Sequence, residues 1–169
     1  PAAKEQGEES STSATNAMEY FTKVYGIDYV LNEVVVPADS SIVGKSLDDI
    51  EREHKVRVIA ALRSSDDLRI GPGGLARDVG VEPHTVLGVL ATSEHVEELA
   101  EHYGLTVRDD LETFTESLAP TKAGIAEVVI PPGSELIGKS ARDVWMRKRY
   151  GIAMVALHRS GKTLREGEG

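Results

Sequence analysis

The chain has 169 residues, a formal net charge of −9, 40% hydrophobic residues, 5% aromatics and no cysteine. The missing thiols exclude disulfide frameworks and thiolate metal sites, and the acidic balance disfavours DNA, RNA or anionic lipid as general partners while leaving room for a small anion in a local basic pocket. No apolar run approaches the roughly 20 residues that a bilayer-spanning helix needs, and no secretory signal precedes the opening Pro-Ala-Ala, so the chain reads as a piece of something longer.

Residues 1–15 are small, polar and low in complexity and read as linker. A helix is expected over 16–25, with Met18, Phe21 and Tyr25 on one face and Gly26 as its stop, within a connecting segment 16–27. A Val-rich strand over 28–36 ends at Pro37. A turn then leads through Ile42-Val43 to a helix over 47–54 and a strand over 56–63. The Asp-, Gly- and Pro-rich stretch 64–84 is expected as loop with room for one short strand. A strand over 85–91 follows. A helix over 94–103 comes next, with Val96, Leu99, Ala100 and Tyr103 on one face and Gly104 closing it. Residues 108–118, within a connecting segment 105–123, are expected as a helix with Leu111, Phe114 and Leu118 inward. Strand, helix and strand are then expected at 125–131, 141–150 and 152–159.

The last three elements follow from a repeat. Residues 33–50 (EVVVPADSSIVGKSLDDI) align without a gap with 127–144 (EVVIPPGSELIGKSARDV), with half the positions identical. A looser echo pairs 58–65 with 153–160. Two copies of one unit make residues common to both architectural. The second unit is cut short, because nothing in it corresponds to 85–103.

Gly133 to Ser140 matches the phosphate-binding pattern G-x-x-x-x-G-K-[ST] between an expected strand and helix. The repeat argues against phosphate chemistry. Asp39 replaces the first glycine in the other copy, and the apolar pairs Ile42-Val43 and Leu136-Ile137 suit a core. Ser46 and Ser140 instead read as helix N-caps, with Asp49 and Asp143 three residues on, close to a capping box. Gly71-Pro72-Gly73-Gly74 lacks dinucleotide-binding spacing and reads as a turn. His95 and His102 lie among glutamates on a solvated helix face, and no metal site is assigned to them. Arg63 ends one copy of the second strand and His158-Arg159 the other, which makes these three residues the candidate contacts for a small anion.

The run from a Val-rich strand through Pro, Ser, two aliphatics and Gly-Lys-Ser resembles the RCK C-terminal domain, also called TrkA-C. The second copy's Arg147-Lys-Arg-Tyr150-Gly151-Ile152 and the strand after it are also typical. The resemblance covers about 28–104 and 124–169. It implies an α+β fold of two tandem TrkA-C-like modules, each a small sheet with short helices, the second truncated. It further implies a non-enzymatic, cytosolic regulatory module of a membrane ion or solute transporter that senses a ligand or dimerises, as in inserts of permeases. A purely structural dimerisation insert and a P-loop enzyme are the alternatives. The partners implied are a second copy and the membrane segments of the same polypeptide, at the cytoplasmic face of the membrane, with no nucleic acid. No resident cofactor is implied. Cyclic di-AMP or another small anion is the implied ligand class, and its contacts lie outside the matched motif. Glu82-Pro83-His84 departs from the Gly-Asp common in the family before its closing strand.

Overall fold

A computed structural model of the chain describes residues 19–119, 122 and 124–164. The expected linker over 1–15 and the start of the first helix lie outside them. Helix α1 (19–25) stops at Gly26, which takes φ 65° and donates to Thr22 O at 2.9 Å. Strand β1 (Val30–Val35) runs up to Pro37, which has no N–H to continue a ladder. Helix α2 (Leu47–His54) starts at Ser46, whose side chain accepts from Asp49 N, and ends at Lys55 in the left-handed conformation. Strands β2 (Arg57–Leu62) and β3 (Leu68–Ile70) form a hairpin, and a single helical turn, α3 (Gly71–Gly74), follows. Strand β4 (Val86–Ala91) leads into α4 (Ser93–Tyr103), which is capped by the Thr92 side chain and closed by Gly104 at φ 66°. Strand β5 is Thr106–Arg108.

These strands make one five-stranded sheet in the order β3-β2-β4-β1-β5 with every pairing antiparallel. β1 and β2 do not pair with each other. β4 lies between them, with Leu87 opposite both Val34 and Ala61. A bulge between Val58 and Ala60 keeps Val58 and Ala61 on one face and turns Ala60 to the other. The first face packs Val34, Val58, Leu87 and Val89 against Leu47 and Ile50 of α2 and Val96 and Leu99 of α4. On the second face, Phe114 and Leu118 cover Ala60.

Residues 108–118 are not the expected helix. The chain is drawn across the sheet instead. β5 pairs with β1, and Glu33, fully buried on β1, accepts from Phe114 N at 2.7 Å and from Arg108 Nη1 at 3.2 Å. Phe114 and Leu118 still point inward, as their spacing predicted, but from turns.

The region 124–164 departs further. Its regular elements among the described residues are α5 (Met146–Tyr150) and the hairpin of β6 (Leu157–Arg159) and β7 (Lys162–Leu164). No ladder forms at 125–131, and the helix expected over 141–150 is confined to its last five residues. The sheet order gives the reason. In the first unit the β1 and β2 strands are joined through β4, and among the described residues no strand pairs with 125–131. What survives is the part fixed by local bonds. Ser40 N to Pro37 O, Val43 N to Ser40 O and Lys45 N to Ile42 O recur as Ser134 N to Pro131 O, Ile137 N to Ser134 O and Lys139 N to Leu136 O, all between 3.0 and 3.2 Å. Gly44 and Gly138 both take positive φ, 88° and 77°.

Gly88 marks the tightest point of the sheet. A Cβ there would stand 3.0 Å from Ala60 Cβ, 3.3 Å from Phe114 and 3.5 Å from Leu118. Gly88→Ala is therefore expected to lower stability by about 1–3 kcal/mol, as overpacking does, measured by denaturant unfolding. An Ala variant as stable as the parent would show that Phe114 and Leu118 pack more loosely than described.

Candidate functional site

The functional geometry centres on a carboxylate that an inward helix stripe carries into the core. Leu47, Ile50 and Glu51 share the buried face of α2, and Glu51 is 3% exposed. Its Oε1 accepts from Val58 N at 3.0 Å and from Arg147 Nη2 at 3.1 Å. Its Oε2 lies 3.1 Å from Arg77 Nη1 and 3.6 Å from Arg57 Nη1. Three guanidinium groups thus surround one carboxylate. Arg77 also donates to Asp48 at 2.8 Å, and Arg142 approaches Asp48 at 3.7 Å. Burial pushes the Arg57 guanidinium downward, and Glu51 opposes that shift.

The cluster joins the two halves of the chain. Arg147 belongs to α5, and Arg57 Nη2 reaches Met154 O at 3.5 Å. On another flank, Thr163 Oγ1 donates to Tyr25 O at 2.8 Å, and the Tyr25 ring lies 4.9 Å from that of His158. Tyr25 Oη donates to Glu127, and that bond, first among the causes, pushes the phenol up to about 12. Sequence reasoning missed Glu51, Arg57, Arg77 and Arg147. The available signal was an acidic residue on the apolar stripe Leu47–Ile50–Glu51 of a short helix.

The sequence-predicted site residues lie as follows. Arg63 donates through Nε to Asp67 at 2.7 Å and through Nη1 to Glu82 at 3.2 Å, so two carboxylates engage it. His158 Nδ1 lies 3.0 Å from Thr163 Oγ1, and Arg159 is exposed. No hydrogen bond or ion pair among the described residues joins Arg63 to either. Ser46 Oγ lies 3.2 Å from Asp49 N, and Ser140 Oγ accepts from Asp143 N at 3.1 Å while Ser140 N donates to Asp143 Oδ2 at 2.8 Å. These bonds hold both aspartates below the ordinary carboxylate range; the Ser46 hydroxyl leads for Asp49 and the Ser140 amide for Asp143.

The P-loop-like stretch spends its amides on itself. Ser134, Ile137 and Lys139 donate to carbonyls within the turn. In the first unit Gly44, Leu47 and Asp48 donate to Val81, Val79 and Arg77 carbonyls at 2.8, 3.1 and 3.0 Å, so the N-terminus of α2 is covered by backbone. His95 contacts Thr92 at 3.0 Å, whereas His102 packs on His54 at 5.1 Å between ring centres. Among the described residues no group of three or more His, Asp or Glu could hold a metal. His54 Nε2 also lies 3.1 Å from Tyr103 Oη.

Two variants test the cluster. Glu51→Gln removes the buried negative charge that Arg57, Arg77 and Arg147 share and is expected to cost about 3 kcal/mol in denaturant unfolding. Arg147→Ala leaves Glu51 bonded to Val58 N and close to Arg77, and is expected to cost about 1 kcal/mol. Equal costs would show that the tie to α5 dominates. The pH dependence has two parts. Arg77, first among its causes, holds Asp48 below its ordinary 3.8, so the Asp48 contribution is complete above that range and is lost as pH falls below it. Burial first, then the charge of His102 and that of Lys45, lower His54 from 6.5, against the opposite pull of Glu53 and Glu98. The unfolded imidazole then binds its proton more readily, so stability is complete above 6.5 and falls as pH drops below it. The denaturation midpoint should fall as pH drops below about 6.5, and His54→Gln should flatten that part of the profile. An unchanged profile in His54→Gln would place the titrating group elsewhere.

Residues 31–104 match the model of the TrkA-C domain. An uncharacterized transporter, sll0640, of Synechocystis sp. (strain ATCC 27184 / PCC 6803 / Kazusa) is 27% identical over 147 residues, which are 82% of this chain and 23% of that protein. The uncharacterized transporter YfbS of Escherichia coli (strain K12) is 51% identical over 41 residues, 24% of this chain and 7% of that protein. The chain therefore spans less than a quarter of either relative. Among solved structures, S. agalactiae BusR in complex with its busAB-promotor DNA aligns with 15% identity and a TM-score of 0.36, over 61% of this chain and 50% of that one. That likeness is too distant to bear on function. No helix among the described residues is long and apolar enough to cross a membrane. The segment similar to the TrkA-C domain, residues 31–104, takes in four of the five strands of the sheet, β1 to β4, and the helices α2 and α4.

Proposed function

We propose that this chain is a non-enzymatic regulatory module of a membrane transporter, built from two TrkA-C-like units at 28–104 and 124–169. The TrkA-C match at 31–104, together with two relatives that are both transporters, carries the reading. The membrane part of the same longer polypeptide is the proposed partner, with the module at its cytoplasmic face, and the homodimer implied by the resemblance remains part of the proposal. A net charge of −9 supports the absence of a nucleic-acid partner.

In this mechanism a ligand favours one packing of the second unit on the first, and the shift is passed to the membrane part. The Glu51–Arg147 bond supports such a role, since it ties the units together through few contacts. The ligand class is a small anion, cyclic di-AMP being the first to test. A site at Arg63 would have to displace Asp67 and Glu82, so His158 and Arg159 are the better contacts.

Calorimetric titration with cyclic di-AMP, orthophosphate and a dicarboxylate tests this. At least one should bind with a Kd below about 1 mM, worth about 4 kcal/mol, and Arg159→Ala should weaken it. No binding by any of the three would leave the structural insert as the better reading. Mg-ATP should not turn over above buffer, and turnover abolished by Lys139→Ala would overturn the non-enzymatic reading.

A further inference from the structure

Charge is distributed unevenly along this acidic chain. Residues 136–164 hold seven of its 19 Lys and Arg and, in Asp143, one of its 28 acidic residues. That segment therefore carries a net +6 and the rest of the chain −15. A sign asymmetry of this size marks a surface with its own partner.

The basic segment also exposes aromatic and aliphatic side chains. Trp145 is 63% exposed, Tyr150 58% and Ile152 53%, and Ile137 and Met154 are exposed as well. Helix α5 supplies the centre of the patch. Its Arg147 turns inward to Glu51, which fixes the helix on the first unit and leaves Lys148, Arg149 and Tyr150 outward. Lys148 Nζ lies 5.3 Å from the centre of the Trp145 ring, and the Arg149 guanidinium lies 5.6 Å from that of Tyr150. Each ring thus stands beside a cation at the surface.

The chemistry of the patch selects among partners. A purely polar polyanion would engage the cations and leave Ile137, Ile152 and Met154 in water. A boundary where anionic headgroups overlie acyl chains satisfies both kinds of side chain at once. Trp and Tyr favour that boundary, because each ring has an apolar body and a polar edge.

We infer that residues 136–164 dock on the anionic surface of a lipid bilayer. Lys148 and Arg149 pair with headgroup phosphates, the rings of Trp145 and Tyr150 lie at headgroup level, and Ile137 and Ile152 reach the acyl boundary. Each Lys or Arg at such a surface strengthens binding about fivefold. Charges more than about 8–10 Å from the headgroups are screened at physiological salt, so acidic groups on the far side of the molecule barely oppose the contact. The inference rests on the reading above that the chain is a module of a membrane transporter, which keeps it beside a bilayer. Because Arg147 and Glu51 tie α5 to the first unit, a bilayer that holds α5 acts directly on that joint.

Trp145 is the one tryptophan of the chain and reports on the contact. The chain is titrated with vesicles of phosphatidylcholine alone and of phosphatidylcholine mixed with phosphatidylglycerol, and Trp145 emission and co-sedimentation are followed. The mixed vesicles should move the emission to shorter wavelength and carry the chain down, the pure vesicles should do neither, and about 1 M salt should reverse the binding. Lys148→Glu with Arg149→Glu should weaken binding about tenfold or more, whereas Lys23→Glu with Lys122→Glu, at exposed lysines outside the segment, should weaken it less than about threefold. No shift on mixed vesicles, equal binding to both kinds of vesicle, or equal loss in the two double variants would overturn the inference. A shift that grows with protein concentration without lipid would make the partner a second copy, and capture of duplex DNA without capture of vesicles would make it a nucleic acid; either result overturns the inference. Vesicle binding with no ligand found in the titrations above would support the bilayer contact and remove ligand sensing, and the opposite pair of results would do the reverse.

Discussion

β4 lies some fifty residues after β1, yet it is the strand that joins the two halves of the sheet. β1 and β2 are neighbours in sequence, but among the described residues the only ladder that connects them runs through Val86–Ala91. The stretch between β1 and β4 must therefore be closed into a loop for the first unit to gain its central pairings, and those pairings offset the entropy of that closure. The position also explains why Gly88 has no side chain. The second face of the sheet needs Phe114 and Leu118 close over Ala60, and a Cβ at the centre of β4 would keep them off.

Two buried carboxylates extend this frame in different directions. Glu33 takes Phe114 N and Arg108, and so folds the chain after α4 back over the sheet as a strand and turns. Glu51 takes Val58 N from its own unit and Arg147 from the second region. Each satisfies backbone as well as charge, which limits the desolvation cost of placing a carboxylate in an apolar core. Removing the Glu33 bonds would free 108–118 from the sheet, whereas removing those of Glu51 would loosen one half of the chain from the other. The second change is the kind a regulatory module can use, because it alters packing between parts that are each held by their own local bonds.

The repeated segment separates local from long-range causes within one molecule. The turn from Pro37 to Lys45 and that from Pro131 to Lys139 have the same hydrogen bonds and the same positive φ at the glycine, although one is packed in a core and the other is exposed. Pro, Ser and Gly at fixed spacing suffice to set this turn. The strand before the turn is different. EVVV pairs on both sides as β1, while EVVI forms no ladder, because strand structure needs a neighbour to bond to.

The sequence by itself determined the elements whose bonds lie within a few residues. The apolar stripe and Ser46 placed α2 at 47–54, the stripe of Val96, Leu99, Ala100 and Tyr103 placed α4, and Val-rich runs placed β1, β2 and β4 to within two residues at either end. The repeat itself was legible, as was the TrkA-C character of the first unit. The path of 105–118 was not, because Leu111, Phe114 and Leu118 have the spacing of a helix, and only the buried Glu33 across the sheet makes turns the better solution. The Glu51 cluster was equally out of reach, since its arginines come from β2, the segment after α3, and α5. The absence of a ladder at 125–131 among the described residues was decided by tertiary structure alone. Whether 127–131 is a strand depends on a β4 elsewhere in space, and no local pattern of residues carries that information.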